Sequence, residues 1–430
     1  MKKSLFLYTF FPLLSFFIVS IGLIQNDNSI YAFFIILIFT TIFFKHILTL
    51  NVEPQIFYAF FIGFLVRFCL MYVDINISEI DPGDCRDFRD AAEYFFYTNR
   101  IAFRGHEHFD GTTLFMGIID KIFGPHRVII QYFNTLCFMS AAYLTYNLLC
   151  KFSVTEKIKL LLMLWMIFSP QSIKSTSASS REGFLSFFVA FSIYSFYLFT
   201  ETKNKKDIVL SFGSVFVGCL LHSGIIALIG GYIFYLAVYN SNTKKYELGL
   251  KSIYYLGIII IFLLPVFILF GDTLLGKFGH VDTVEDITAH GASFEGGGSD
   301  YEVPFGDNIL GTPLRAIYFI LAPMPWNFRG ITDMLSFILL SVPHILIMQQ
   351  YIHNVKYIEI KKQTICHWLM VSAVCISIVF GWGCKNTGTA IRHRDKFTSL
   401  YVCMLGIFAA AHKDKEYIIK SNGKQKISLY

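Results

Sequence analysis

The chain has 430 residues, of which 55% are hydrophobic and 15% are charged, with a formal net charge of +6 and a mean hydropathy of +0.55. A soluble domain of this length cannot bury that much apolar surface, which includes 47 Phe side chains. The composition excludes a soluble globular protein and predicts a single polytopic, all-α integral membrane domain over residues 1–430.

Apolar runs of the length that crosses a bilayer, roughly 20 residues, recur along the chain. They predict about twelve transmembrane helices, near residues 5–24, 30–49, 55–74, 127–150, 158–170, 183–200, 208–222, 223–240, 252–271, 330–350, 365–383 and 397–412. The first run resembles a signal peptide, but no A-x-A-like cleavage site follows it, so we expect an uncleaved helix. The apolar run 312–326 carries three prolines, and we expect it to be re-entrant or interfacial.

The lysines predict the orientation of these helices. Most of them fall on one side of the twelve-helix arrangement, and the positive-inside rule assigns that side to the cytoplasm. Both termini are then cytoplasmic. The large external loops are residues 75–126, 272–329 and 384–396.

The arginines show the opposite distribution. None of the eleven falls in a predicted cytoplasmic loop; Arg67 lies inside a span, and the others lie in or beside external segments. A general coding bias towards Lys is one explanation, but it would not place the arginines on one side. Arginine is a permanently charged fork that binds phosphate bidentately, so the distribution indicates an external site for a phosphate-bearing ligand.

The stretch "DCRDFRDAAEYF" in the first external loop predicts a short interfacial helix. Its spacing places Asp87 and Asp90 on one helix face with Ala91 and Tyr94, and Asp84 is positioned to cap the helix. One interpretation is a solvated helix with ion pairs such as Arg86 with Asp90. The other interpretation is a carboxylate, Asp84 or Asp87, that acts as a base next to phosphate held by Arg86 and Arg89.

A second candidate group lies in "SSREGFLSFF" and in "LLHSG", about forty residues later. Ser179 or Ser180 is expected to cap the helix that follows, and Glu182 suits its N-terminal dipole. Arg181 does not, because a cation is unfavourable at a helix N-terminus. His222, at the outer end of a span, is either a packing residue or an ionisable group with a function.

The third candidate group is "GTAIRHRDK", which contains Arg392, His393 and Arg394. One interpretation is a charged collar that fixes the last span. However, the preceding "NTG" favours a tight turn into a pocket. We therefore expect this cluster to face other arginines across an external cavity and to neutralise a diphosphate.

The stretch "FSPQSIKSTSASSREGFLSFF", followed by a short Lys-rich loop and "LLHSG", resembles the polymerases of bacterial O-antigen and capsule repeat units, the Wzy-type and EpsG-like proteins. These chains often carry an Arg after a Ser-rich external turn and a His-Ser or His-Ala pair one hairpin later, here Arg181 and His222–Ser223. The likeness covers residues 168–225 and the overall plan. Many EpsG-like chains have Gly-Thr-Asp-Tyr where this chain has "PGDCRDF", so the matching carboxylate stays open. The acidic first loop also looks like that of GT-C glycosyltransferases, which implies a GT-C-like bundle.

The resemblance implies transfer from an undecaprenyl-diphosphate-linked glycan on the outer side of the bacterial cytoplasmic membrane. An acceptor hydroxyl would attack the anomeric carbon, and lipid diphosphate would leave. The expected diphosphate ligands are Arg181, Arg315, Arg392 and Arg394, with His393 beside them and Arg86 and Arg89 in reserve. The candidate bases, in falling order, are Asp84, Asp87 and His222. We expect no cofactor and no metal. The expected partners are membrane lipid and a chain-length regulator, with no nucleic acid.

Two other functions remain open from the sequence. A GT-C glycosyltransferase that uses a polyprenyl-monophosphate sugar would share almost every feature. A transporter of lipid-linked glycan would also have the arginines, but it would need no catalytic base.

Overall fold

The computed structural model describes residues 30–49, 52–78, 80, 83–103, 110–240, 311–384 and 386–411, together with residues 243, 245–247, 249, 253, 257 and 303. The predicted spans 5–24 and 252–271, and most of the predicted external loop 272–329, lie outside the described residues.

The helices are, in chain order, α1 (Ile30–Thr49), α2 (Pro54–Asn76), α3 (Gly83–Thr98), α4 (Gly111–Phe123), α5 (Arg127–Lys151), α6 (Glu156–Phe168), α7 (Pro170–Ser177), α8 (Glu182–Thr202), α9 (Lys205–Leu221), α10 (Ile229–Val238), α11 (Thr312–Leu321), α12 (Ile331–Ser336), α13 (Val342–Asn354), α14 (Ile360–Gly383), α15 (Thr387–Asp395) and α16 (Thr398–Ala411). Short 3₁₀ turns cover Ser223–Leu228, Pro325–Asn327 and Val355–Tyr357, and a π-helical turn, Phe337–Ser341, joins α12 to α13. Strands β1 (Tyr239–Asn240) and β2 (Lys245–Tyr246) pair in antiparallel orientation.

Six helices in the described part of the chain are long and apolar enough to cross a membrane. They are α1, α2, α5, α8, the continuous helix from α12 to α13, and α14, and each coincides with a predicted span. The shorter helices α6, α9, α10 and α16 occupy the four remaining predicted runs among the described residues. The prediction of an all-α polytopic membrane fold is confirmed.

The first of two compact units comprises residues 1–143, 163–188 and 220–222. In this unit the Phe-rich faces of α1 and α2 interlock: Phe43 of α1 packs against Phe60 and Phe64 of α2, with ring centroids 6.1 and 5.2 Å apart. A Cβ on Gly63 would lie 2.4 Å from a methyl group of Ile167. Because lipid is as apolar as the side chains, van der Waals packing and close approach at small residues hold such helices together.

The second unit comprises residues 144–162, 189–219 and 223–430. Its core contains the ring of Tyr232, which stacks on Phe196 with centroids 4.0 Å apart and shares a hydrogen bond of 2.8 Å with the Ser192 hydroxyl. The neighbouring Gly231 lets α10 approach α14, because a Cβ at this position would lie 1.9 Å from the Trp368 carbonyl oxygen.

Three elements differ from the expectations. The segment 75–126 contains a second helix, α4, besides the predicted interfacial helix α3. The Ser-rich segment expected to be a turn forms helix α7 first. The "NTG" stretch is a helix start rather than a tight turn, because Asn386 accepts hydrogen bonds from the N–H groups of Gly388 and Thr389 and so caps α15.

Helix α11 agrees with the expectation that 312–326 does not span. It has 10 residues. At 1.5 Å per residue it is about 15 Å long, half the thickness of a hydrocarbon core of about 30 Å.

The close approach at Gly231 predicts the effect of a substitution. Gly231→Ala forces the added methyl group into the Trp368 carbonyl, so we expect it to cost about 1–3 kcal/mol and to lower the midpoint of thermal unfolding in detergent. The matched control is Gly213→Ala in α9, where an added Cβ has nothing within 4 Å and where alanine favours the helix. Equal midpoints for the two variants would contradict this account of the packing.

Candidate active site

The buried guanidinium of Arg67 organises the candidate site in the first unit. Arg67 lies within α2 and is 0% exposed. Its Nε donates to the Thr176 hydroxyl at 2.7 Å, and its Nη2 donates to the Ile167 carbonyl at 3.0 Å and the Ser172 hydroxyl at 3.1 Å. The Phe138 ring covers it, with the centroid 4.5 Å from Cζ. These contacts tie α2 to the end of α6 and to α7.

Asn134 of α5 fixes the segment between α7 and α8. Its Nδ2 donates to the Ser175 carbonyl at 3.1 Å and the Ala178 carbonyl at 3.0 Å, and its Oδ1 accepts from the Gly183 N–H at 2.8 Å. One amide therefore holds both the last turn of α7 and the first turn of α8. Arg181 lies between these anchoring points.

The start of α8 bears out the capping prediction in part. The hydroxyl of Ser180, not that of Ser179, accepts the N–H of Glu182, at 3.3 Å. The same hydroxyl donates to the Ser175 carbonyl at 2.5 Å. The Ser180 hydroxyl, directly before Arg181, is therefore both a donor and an acceptor of backbone hydrogen bonds.

The side chain of Arg181 reaches the C-terminal end of α9. Its Nη1 donates to the Leu221 carbonyl at 2.9 Å, and its Cζ lies 4.9 Å from the centroid of the Phe88 ring. A cation is favourable at the C-terminus of a helix, where carbonyl groups are exposed. The position that is unfavourable within α8 is thus favourable with respect to α9. His222 follows Leu221 directly, so the structure brings Arg181 next to the peptide that carries His222.

Helix α3 supplies the predicted carboxylates. Asp84 and Asp87 are half-buried, and Asp84 lies one turn before Phe88 on the same helix face. Phe88 contacts Arg181, and Asp84 lies four residues before Phe88 in the first turn of the same helix. Asp84 lies within the first turn and not at the expected cap position, because α3 begins at Gly83.

The two reserve arginines of α3 differ in their surroundings. Arg86 is exposed, whereas Arg89 is half-buried and forms an ion pair of 3.6 Å with Asp90. Asp90 therefore has an ionic partner on its own helix, but this partner is Arg89, whereas the expected pair was Arg86 with Asp90.

The remaining predicted arginines belong to the second unit, where Arg394 holds a helix end. It is 3% exposed, and its two Nη atoms donate to the carbonyls of Ile320 and Ala322 at the end of α11. Nη1 also lies 3.3 Å from the Ser341 hydroxyl. These donors are directed at protein oxygens.

Arg315, Arg392 and His393 have different surroundings. Arg315 is 2% exposed, with its Cζ 4.4 Å from the centroid of the Trp382 ring. His393 is buried, and its Nδ1 lies 2.7 Å from Nζ of Lys396. Arg392 is half-buried. The expected convergence of Arg181 with the arginines of the second unit on one diphosphate stays a prediction.

Two carboxylates that sequence reasoning did not select are buried in or beside the segment 75–126. Asp74, at the end of α2, accepts a hydrogen bond from Arg127, from the Gln131 amide at 2.6 Å and from the Ile80 N–H at 2.6 Å. These bonds close the base of the segment. Asp120 of α4 is 1% exposed, and its Oδ1 has no hydrogen-bond partner in the part of the chain that the structure describes.

The environment of Asp120 favours its neutral form. Burial, and secondarily the charge of Glu93, raises the pKa of Asp120 from 3.8 to about 7. The sequence signal was a single carboxylate in the otherwise apolar stretch "FMGIIDKIF". Among the residues that the structure describes, no group of three or more His, Cys, Asp or Glu side chains could hold a metal ion.

Comparison with known families gives one match. The family model of dolichyl-phosphate-mannose-protein mannosyltransferases matches residues 107–275, less than half of the chain. The matched segment contains α4, the Ser-rich α7, Arg181 and His222. No curated protein and no solved structure matches the chain. The match and the all-α polytopic fold indicate a membrane glycosyltransferase of the GT-C type, and they do not distinguish a repeat-unit polymerase from other such enzymes.

The raised pKa of Asp120 predicts how stability depends on pH. A carboxyl whose pKa is higher in the folded state stabilises the protein fully below its unfolded-state pKa, and this contribution is lost as the pH rises to the folded-state pKa. Between pH 3.8 and about 7, wild-type protein should therefore lose stability relative to Asp120→Asn. The limiting slope is about 1.4 kcal/mol per pH unit.

Thermal unfolding in detergent across this pH range measures the effect. The control is Gly213→Ala in α9, because it changes no titratable group and an added Cβ there has nothing within 4 Å. Its curve should stay parallel to that of the wild type. Parallel curves for Asp120→Asn and wild type would show that Asp120 is ionised in the folded protein.

Proposed function

We propose that this protein is a membrane glycosyltransferase that joins undecaprenyl-diphosphate-linked oligosaccharide repeat units of an O-antigen, capsule or exopolysaccharide. It would act on the outer side of the bacterial cytoplasmic membrane, with both termini in the cytoplasm and with a chain-length regulator as a partner. The observation that carries the proposal is the contact between Arg181 and the Leu221 carbonyl. It joins the two motifs on which the resemblance to repeat-unit polymerases rests, and Phe88 adds the acidic helix α3 to them.

In the proposed reaction, an acceptor sugar hydroxyl attacks the anomeric carbon of the lipid-linked glycan. The bond from that carbon to the phosphate oxygen breaks, and undecaprenyl diphosphate leaves with the bonding electrons. Arg181 stabilises the charge that develops on the leaving phosphate. Asp84 accepts the proton of the hydroxyl, with Asp87 and His222 as the next candidates.

The other expected phosphate ligands belong to the second unit. We assign Arg392 first, because its side chain is partly exposed. Arg315, His393 and Arg394 are buried, and Arg394 is directed at the carbonyls of Ile320 and Ala322. Their role in this proposal is to hold the surrounding helices, with direct phosphate contact as the alternative.

A second candidate function is supported by the family match over residues 107–275. Dolichyl-phosphate mannose is a polyprenyl-monophosphate sugar, so a related donor would place one phosphate, rather than two, beside Arg181. The chemistry at the anomeric carbon would be the same. The two candidates therefore differ in the donor and in the leaving group.

The length profile of surface polysaccharide in a strain that lacks this gene separates the candidates. A repeat-unit polymerase predicts that the ladder disappears while one repeat unit remains attached. Loss of a single sugar from an otherwise complete ladder would support the monophosphate-dependent transferase. An unchanged profile would contradict both.

Complementation of that strain tests the residues. Arg181→Ala should lose at least about 100-fold in activity, because it removes a charge-stabilising donor. Arg181→Lys should not restore it, since Lys lacks the planar fork. The double variant Asp84→Asn/Asp87→Asn should be inactive for an enzyme and active for a transporter. Arg329→Ala, which changes an exposed arginine outside the site, is the matched control and should behave as wild type.

A further inference from the structure

A threonine hydroxyl at the start of α4 lies between Arg181 and the peptide that carries His222. The Thr112 hydroxyl donates to the Leu221 carbonyl at 3.1 Å, and Nη1 of Arg181 lies 3.4 Å from the same hydroxyl oxygen. Nη1 also donates to Leu221 at 2.9 Å. The three groups form a closed triangle of polar contacts. Thr112 is 1% exposed, so solvent does not compete for this hydroxyl.

The backbone at the start of α4 is built for this contact. A Cβ on Gly111 would lie 2.0 Å from the Leu220 carbonyl oxygen, so only glycine lets the start of α4 come this close to the end of α9. Asp110 caps α4 by accepting the Thr113 N–H at 2.6 Å. The positive end of one helix thus meets the negative end of another, which is electrostatically favourable.

We propose that Thr112 is a positioning residue that orients Arg181 towards the phosphate of the polyprenyl-linked donor and fixes the peptide of His222 relative to it. This inference rests on the proposed function and adds a residue that the sequence motifs did not select. Thr112 touches neither donor nor acceptor in this scheme. It acts through Arg181 and Leu221.

The physical reason is the geometry of a guanidinium group. A guanidinium group forms two parallel N–H···O bonds to a phosphate only when its plane has the correct orientation. The face of Arg181 packs on Phe88, and one edge is held by Leu221 and Thr112. Phe88 in turn stacks on Phe103, with centroids 5.0 Å apart and an angle of 22° between the rings. A preorganised cation stabilises developing charge without having to reorient during the reaction.

Three threonine variants test the inference in the full-length protein. Thr112→Val keeps the shape and removes the hydroxyl, and Thr112→Ser restores the hydroxyl. Thr113→Val is the matched control on the same turn, because the Thr113 hydroxyl is buried without a hydrogen-bond partner among the described residues. Binding of undecaprenyl diphosphate to the purified protein in nanodiscs is measured by thermophoresis, and the unfolding midpoint is recorded for each variant.

We expect Thr112→Val to bind the lipid about ten-fold more weakly, because a hydrogen bond to a charged group is lost. Thr112→Ser and Thr113→Val should bind within about two-fold of wild type, with similar unfolding midpoints. In an Arg181→Ala background, Thr112→Val should cause no additional loss, since the residue that it positions is absent.

Several results would overturn the inference. Wild-type affinity in Thr112→Val, failure of Thr112→Ser to restore binding, or a full additional loss in the Arg181→Ala background would each show that Thr112 does not act through Arg181. Equal losses in Thr112→Val and Thr113→Val would show a general packing effect instead. If the wild-type protein itself does not bind undecaprenyl diphosphate, the diphosphate proposal fails, and this inference fails with it.

Discussion

The first unit depends on how the guanidinium of Arg67 is satisfied within an apolar helix. An ionised group at membrane depth is costly unless polar groups surround it. Here hydroxyls and carbonyls from α6 and α7 supply them, including Thr176, Ser172 and Ile167. The chain must therefore present the Ser-rich α7 to α2 after α6. That requirement brings the following residues, including Arg181, to a fixed place in the unit.

The position of Arg181 illustrates why the site needs segments that are far apart in sequence. At the N-terminus of α8 alone, its charge would be unfavourable. The carbonyl of Leu221 at the end of α9 and the ring of Phe88 from α3 reverse that balance. The arginine and the histidine that follows it some forty residues later are thus brought together by one contact, that of Arg181 with the Leu221 carbonyl. The helices α8 and α9 account for the spacing between them.

Sequence reasoning succeeded where the bilayer imposes a simple rule. The predicted spans 30–49 and 127–150 correspond to Ile30–Thr49 and Arg127–Lys151, because only long apolar helices satisfy their backbone within lipid. It failed for α4, α7 and α15, which are short and polar or amphipathic. The end of α7 is fixed by Asn134 of α5, a partner that no local pattern indicates. Asn386 caps α15 locally, but the sequence there was interpreted as a tight turn. The hydrogen bonds of Arg394 to the carbonyls of Ile320 and Ala322, more than seventy residues away, could not be predicted from the sequence either.

Burial separates two uses of the arginine bias. Arg67 and Arg394 are almost fully buried, and their described donors face protein carbonyls and hydroxyls. Such arginines join irregular backbone to spanning helices, because a planar fork can satisfy several carbonyls at once. Arg181 and Arg392 are only partly buried, which is the condition for meeting a ligand. Buried arginines of this kind serve helix ends that need hydrogen-bond donors, whereas in the proposed function the partly exposed Arg181 and Arg392 meet the phosphate of the donor.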